Sequence, residues 1–204
     1  MQETYDRLHA QITERGPWQH TSTGAAFFLG DPRPEEVDIH VIARALSRLV
    51  RYNGHYAPHV AHYSVAQHAV LVARWMYRDN RSMAMVYAGL HHDDAEAYVG
   101  DNISQMKKLC PEIKVVEKKV EAAVFAALGV DQSAQTHAVV KEYDFIACAT
   151  EVRDIMPPNH SDQTWGNLPD PRPERITPWT ADHAYHAYME THFTLVRKGG
   201  LIHD

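Results

Sequence analysis

The chain has 204 residues, 20 basic and 26 acidic, giving a net charge of −6, with 45% apolar residues and 15 histidines against two cysteines. That length suits one domain, read here as residues 1–204, with a core large enough to fold without disulfides; Cys110 and Cys148 are one pair at most, which excludes a disulfide-stapled secreted scaffold and a thiolate metal motif. The acidic balance argues against duplex nucleic acid as a partner, no apolar run is long enough for a membrane span, and the start of the chain lacks a signal-peptide pattern, so a cytoplasmic protein in a reducing compartment is expected.

In chain order, Tyr5, Leu8 and Ile12 read as a short helix ended by Gly16-Pro17, and Thr21 to Leu29 as a short strand or hairpin. Ile39, Ile42, Ala43, Leu46, Leu49 and Val50 recur at helical spacing after a Pro34-Glu35-Glu36 start that suits a helix N-terminus. A loop from Asn53-Gly54 to His62 precedes a helix capped by Ser64. Further helices are expected over about Ser82 to Ala97, Glu112 to Leu128 with Gly129 as terminator, and Ala134 to Ile155, stopped by Pro157-Pro158. The proline-rich stretch from Asn159 to Pro178 reads as a loop, and Thr180 starts a last helix to about Val196. The expected class is all-α, mostly helical, with a short N-terminal strand or hairpin.

The chemistry concentrates in His91-His92-Asp93-Asp94-Ala95-Glu96, where Glu96, four residues after His92, shares its helical face. His68 falls among Val65, Val72 and Trp75 on an apolar face, and Asp144 shares a side with Val140, Ala147 and Cys148. A buried imidazole needs a partner for each ring nitrogen, and a buried carboxylate needs a cation. Together His68, His92, Asp93 and Asp144 offer two imidazoles and two carboxylates, a nitrogen and oxygen set that suits Mn, Fe, Co, Ni or Zn and leaves positions open for water and substrate. Glu96 is placed to orient or deprotonate that water, which points to hydrolysis.

His68, then His92-Asp93, then Asp144, in that order, resembles the HD superfamily of metal-dependent phosphohydrolases. His92-Asp93-Asp94-Ala95-Glu96 with Gly100-Asp101 and Lys107 is similar to bacterial 5′-deoxynucleotidases and phage-type dATP triphosphohydrolases. Arg51-Tyr52-Asn53-Gly54-His55, Tyr63-Ser64-Val65-Ala66-Gln67-His68, Lys141-Glu142-Tyr143-Asp144 and Ala149-Thr150-Glu151-Val152-Arg153-Asp154 extend the likeness over about residues 21–158.

The resemblance implies an HD helical bundle in which His68, His92, Asp93 and Asp144 hold the metal, with Mg a further candidate alongside a triphosphate. It also implies that Glu96 is the catalytic carboxylate beside Asp93, that Asp101 accepts a hydrogen bond from the deoxyribose, and that Arg51 and Lys107 bind phosphate. Tyr52 takes the place of an aromatic residue on the sugar or base, and His55 is a candidate for contacting substrate or supporting the ligands. The implied substrate is a small deoxynucleotide, favoured as a dATP-like triphosphate split into deoxynucleoside and triphosphate. The alternatives are a 5′-monophosphate yielding phosphate, and a non-catalytic nucleotide-binding module. Homo-oligomers and phage or prophage origin, acting in a host cytoplasm, are implied by resemblance alone.

Where such relatives carry two prolines between the positions of Asp101 and Lys107, this chain has Asn102-Ile103-Ser104-Gln105-Met106, so a less rigid loop is expected. His91 is expected in the core or supporting the ligands, His59 and His62 exposed, and His183, His186 and His192 on a polar helix face or subunit contact. The loop carrying Trp165 reads equally as a lid over a base or as surface packing.

Overall fold

A computed structural model describes residues 14–160 and 165–199. The helix expected around Tyr5, Leu8 and Ile12 lies outside the described residues. Among them the architecture is helical, with a single two-stranded antiparallel hairpin, β1 (Gln19–His20) and β2 (Ala26–Phe27). The hairpin is fastened to the core by Phe27, which is fully buried and stacks on Tyr98 at 3.7 Å between ring centroids.

The helices are α1 (Ile39–Arg48), α2 (Val65–Arg78), α3 (Met83–His91), α4 (Glu96–Val99), α5 (Ser104–Leu109), α6 (Glu112–Leu128), α7 (Ala134–Asp154) and α8 (Ala181–Gly199). Their starts follow the cap residues. The side chains of Asp38, Ser64, Ser82 and Ser133 accept from the backbone N–H groups of His40, Gln67, Met85 and Thr136, so each offsets one orphan donor of a first turn. At the other end of α6, Gly129 adopts the left-handed conformation (φ 64°) that closes the helix.

α2 lies at the centre, packed against α1, α3, α7 and α8. Its apolar side is filled by Val65, Ala69, Val72 and Met76, all buried. α3 approaches it so closely that a Cβ on Gly89 would lie 2.3 Å from the Met76 sulfur, so any larger residue there requires Met76 to move. The segment after α7 is strapped down by ion pairs: buried Asp154 accepts from Arg153, Arg175 and the Ile176 N–H, and Arg172 pairs with Asp79.

Five expectations are corrected. Pro34–Glu36 forms a separate 3-10 turn, and the helix begins after it because Asp38, not Pro34, supplies the cap. The helix expected from Ser82 to Ala97 breaks after His91. The Gly89 carbonyl, which the Asp93 N–H would occupy in an unbroken helix, accepts from His92 Nδ1 at 2.9 Å, and the chain tightens to bonds from Asp94 to His91 and from Glu96 to Asp93. The loop expected from Asn102 to Met106 turns into α5 at Ser104. Finally, His192 is buried rather than on a polar surface, and His62 is half-buried, its Nε2 3.0 Å from the Ser47 carbonyl oxygen.

Candidate metal centre

Three segments converge on one spot. α2 brings His68, the break between α3 and α4 brings His92 and Asp93, and α7 brings Asp144. The two Nε2 atoms of His68 and His92 face each other at 3.3 Å. Asp93 Oδ2 lies 3.7 Å from the first and 3.3 Å from the second, and Asp144 Oδ1 lies 3.4 Å and 4.0 Å from them. Donor atoms of His68, His92 and Asp93 fall within 4.8 Å of one another, a grouping that can hold a metal ion.

The remaining ring nitrogens are committed away from the centre. His68 Nδ1 is 2.6 Å from Glu151 Oε1, and His92 Nδ1 donates to the Gly89 carbonyl. With both Nδ1–H bonds so used, the neutral rings present two lone pairs, beside two carboxylate oxygens, to one small volume. Such a set repels itself unless positive charge sits between, so the residues present fit a divalent cation. The same pull acts on protons. Burial and Arg51 press His68 towards neutrality, yet Glu151 and Asp144 outweigh them and lift it to about 9. Asp144 is half-buried, which disfavours its charge, but the imidazoles and Lys141, whose Nζ is 2.6 Å from Oδ2, hold it well below the ordinary carboxylate range.

Glu151 organises the back of the centre, a role that the spacing alone did not assign to it. It is fully buried, and its carboxylate accepts from His68, from the Tyr63 hydroxyl at 2.9 Å, from the Tyr52 hydroxyl, and from Arg51 Nε at 3.3 Å. Burial pushes its pKa up, but Arg51 and His68 overcome this and hold it down at about 2. The signal was available: Glu151 follows Asp144 by two helical turns and so shares its face of α7.

Of the residues implied to meet substrate, Arg51 is drawn to the centre, its Nη1 3.5 Å from Asp93 Oδ2. Tyr52 stands beside it with a left-handed backbone (φ 54°), an outlier for an aromatic residue that costs about 1–3 kcal/mol. Its hydroxyl bond to Glu151 offsets part of that, and the Trp165 ring meets its edge at 5.8 Å. Glu96 is 7% exposed, its Oε2 is buried with no hydrogen-bond partner among the described residues, and Oε1 lies 3.9 Å from Lys107 Nζ. Burial, reinforced by Asp93 and Asp101, raises the Glu96 pKa well above its usual value. Asp101 is raised for the same first reason, against the pull of Arg51. Lys107 reaches the site but pairs chiefly with Glu117, at 2.6 Å. Among the described residues, no side-chain hydrogen bond or ion pair brings His55 to the cluster. It closes the Arg51–Gly54 turn through its backbone N–H, and its imidazole is exposed.

His91 points away from the metal ligands, fully buried, with Nδ1 2.6 Å from Asp94 Oδ2. Cys110 and Cys148 are free thiols. No helix among the described residues is long and apolar enough to cross a membrane.

Residues 55–160, more than half of the chain, match the family described as HD domain. The chain is 32% identical over 174 residues to the uncharacterized protein YfdR of Escherichia coli, covering 83% of this chain and 90% of that protein. It is 30% identical over 161 residues to an uncharacterized protein of Rhodobacter capsulatus, covering 76% and 81%.

Proposed function

The chain belongs to the HD domain family, and from that membership and the convergent donor set we propose that it is a divalent-metal-dependent phosphohydrolase whose substrate is a small deoxynucleotide. The observation that carries the reading is the meeting of His68 Nε2, His92 Nε2, Asp93 Oδ2 and Asp144 Oδ1 at one point, with the buried, unpartnered Glu96 Oε2 in the same site.

His68, His92, Asp93 and Asp144 would hold the ion. When bound, a divalent metal lowers the pKa of a coordinated water and polarises a phosphoryl oxygen. The chain's own groups supply the rest. Arg51 is fixed by Glu151 and Asp93 with its guanidinium at the centre, where its planar fork suits phosphate oxygens. Glu96, whose Oε2 is buried with no hydrogen-bond partner among the described residues and whose pKa is raised by burial and by two nearby carboxylates, would take the proton of the attacking water. Asp101 would accept from a sugar hydroxyl, and Tyr52 with Trp165, whose rings meet edge to face at 5.8 Å, would form an aromatic wall for the sugar or base.

We favour a deoxynucleoside triphosphate, dATP first, cleaved to deoxynucleoside and triphosphate. One observation favours the monophosphate reading instead: Lys107 is paired with Glu117, which leaves it less free to hold β and γ phosphates. The experiment is a panel of dNMPs and dNTPs with Mn, Co, Zn and Mg, with the products separated. Triphosphate release supports the favoured reading, and phosphate release from monophosphates replaces it with the 5′-deoxynucleotidase. No turnover of any substrate with any metal would leave the non-catalytic module and overturn the enzyme.

A further inference from the structure

The HD match ends at residue 160, yet a buried polar network ties a later helix, α8, to the ligand-bearing break. Asp94 is fully buried. Its Oδ2 accepts from His91 Nδ1 at 2.6 Å and its Oδ1 accepts from the Tyr188 hydroxyl, which is also fully buried and lies 3.0 Å from His91 Nδ1. The other ring nitrogen of His91, Nε2, lies 3.1 Å from His192 Nδ1, so the ring joins the break to α8 from both of its nitrogens. Burial, with His91 beside it, pushes His192 down to about 4, so it is the neutral imidazole this bonding requires.

The consequence lies one residue away in each direction. His91 and Asp94, three apart, face α8, while His92 and Asp93 between them face the metal centre. At this point the helical ladder has already failed. Asp94 N–H reaches only the His91 carbonyl, at 3.2 Å, and the Gly89 carbonyl is taken by the His92 ring. The backbone alone therefore holds this turn weakly, and the anchored Asp94 carboxylate supplies the missing restraint.

We propose that Tyr188, on a helix outside the HD match, is a positioning residue that sets the metal ligands His92 and Asp93 through Asp94 and His91. The inference rests on the ligand reading above. Supporting partners of this kind typically alter metal affinity by about 10–100-fold.

The test titrates cobalt(II) alone into the full chain and reads its visible ligand-field absorption, for the unaltered protein, Tyr188→Phe and Leu195→Ala. The phenylalanine keeps the ring that fills the core, and Leu195 lies buried on the same helix but outside the network. Tyr188→Phe is expected to weaken cobalt binding about tenfold, to shift the absorption bands, and to lower kcat with KM unchanged. Leu195→Ala should lower the melting temperature while leaving the bands in place. Unchanged cobalt affinity and bands in Tyr188→Phe would overturn the proposal, as would an equal change in Leu195→Ala, which would mark mere loosening of α8. If the unaltered chain binds no cobalt, the ligand reading fails and takes this inference with it.

Discussion

Glu151 carries more of the site's order than any single ligand. One buried carboxylate accepts from His68, Tyr52, Tyr63 and Arg51, so it fixes an imidazole of the donor cluster, the guanidinium proposed to meet phosphate, and the strained Tyr52 turn. Replacing it by glutamine keeps the shape but removes the charge that Arg51 and His68 answer, leaving buried positive charge uncompensated. Glu151→Gln is expected to weaken metal binding about 10–100-fold and to lower the melting temperature, read by metal titration and thermal unfolding. Glu96 is proposed to work on protons and not on the ion, so its replacement has a different expected outcome. Glu96→Gln should lower kcat by about 10²–10⁴-fold while the metal content stays that of the unaltered chain. Loss of metal in this variant would move Glu96 into the ligand set.

At the scale of elements, the helices that were legible in the sequence are those whose cause is local. Ser64 announces α2 and Gly129 announces the end of α6, while Ser82 and Ser133 cap α3 and α7 close to where their helices were expected to start. The misread places have non-local or side-chain causes. The break at His92 comes from an imidazole taking a carbonyl of its own helix, and α8 turned its histidine inward because Asp94 and His91 wait there. The convergence of His68, His92 and Asp93 is legible because polar residues on apolar helix faces demand partners; Glu151 meets the same criterion, but its partners Tyr52, Tyr63 and Arg51 are distant in sequence.

The proline-rich strap makes a prediction at this scale. Asp154 is disfavoured as an anion by its burial, but Arg153, the Ile176 N–H and Arg175 more than compensate and lower its pKa to about 2 from 3.8. A depressed carboxylate stabilises fully above its unfolded value and loses that contribution as the pH falls through its folded one. Asp154→Asn should therefore melt below the unaltered protein at pH 7, with the gap closing between about pH 4 and pH 2. A gap independent of pH would show that the Asp154 charge does not hold the strap.

For the whole molecule, the metal centre stands where the central helix α2, the α3–α4 break and α7 meet, so an ion bound there links three elements that are distant in sequence. A ligand that binds only the folded state stabilises it by mass action, about 2.7 kcal/mol at a hundredfold excess over its dissociation constant. Added Mn, Co or Zn should accordingly raise the melting temperature, and a chelator should return it. The most direct test of the centre is the metal content of the loaded and desalted chain, compared with Asp93→Ala, which removes one ligand without touching the core. The account predicts one divalent ion per unaltered chain and none retained by Asp93→Ala, with the helical signal of both alike. An unaltered chain that holds no metal, or an Asp93→Ala chain that holds it equally well, would contradict it.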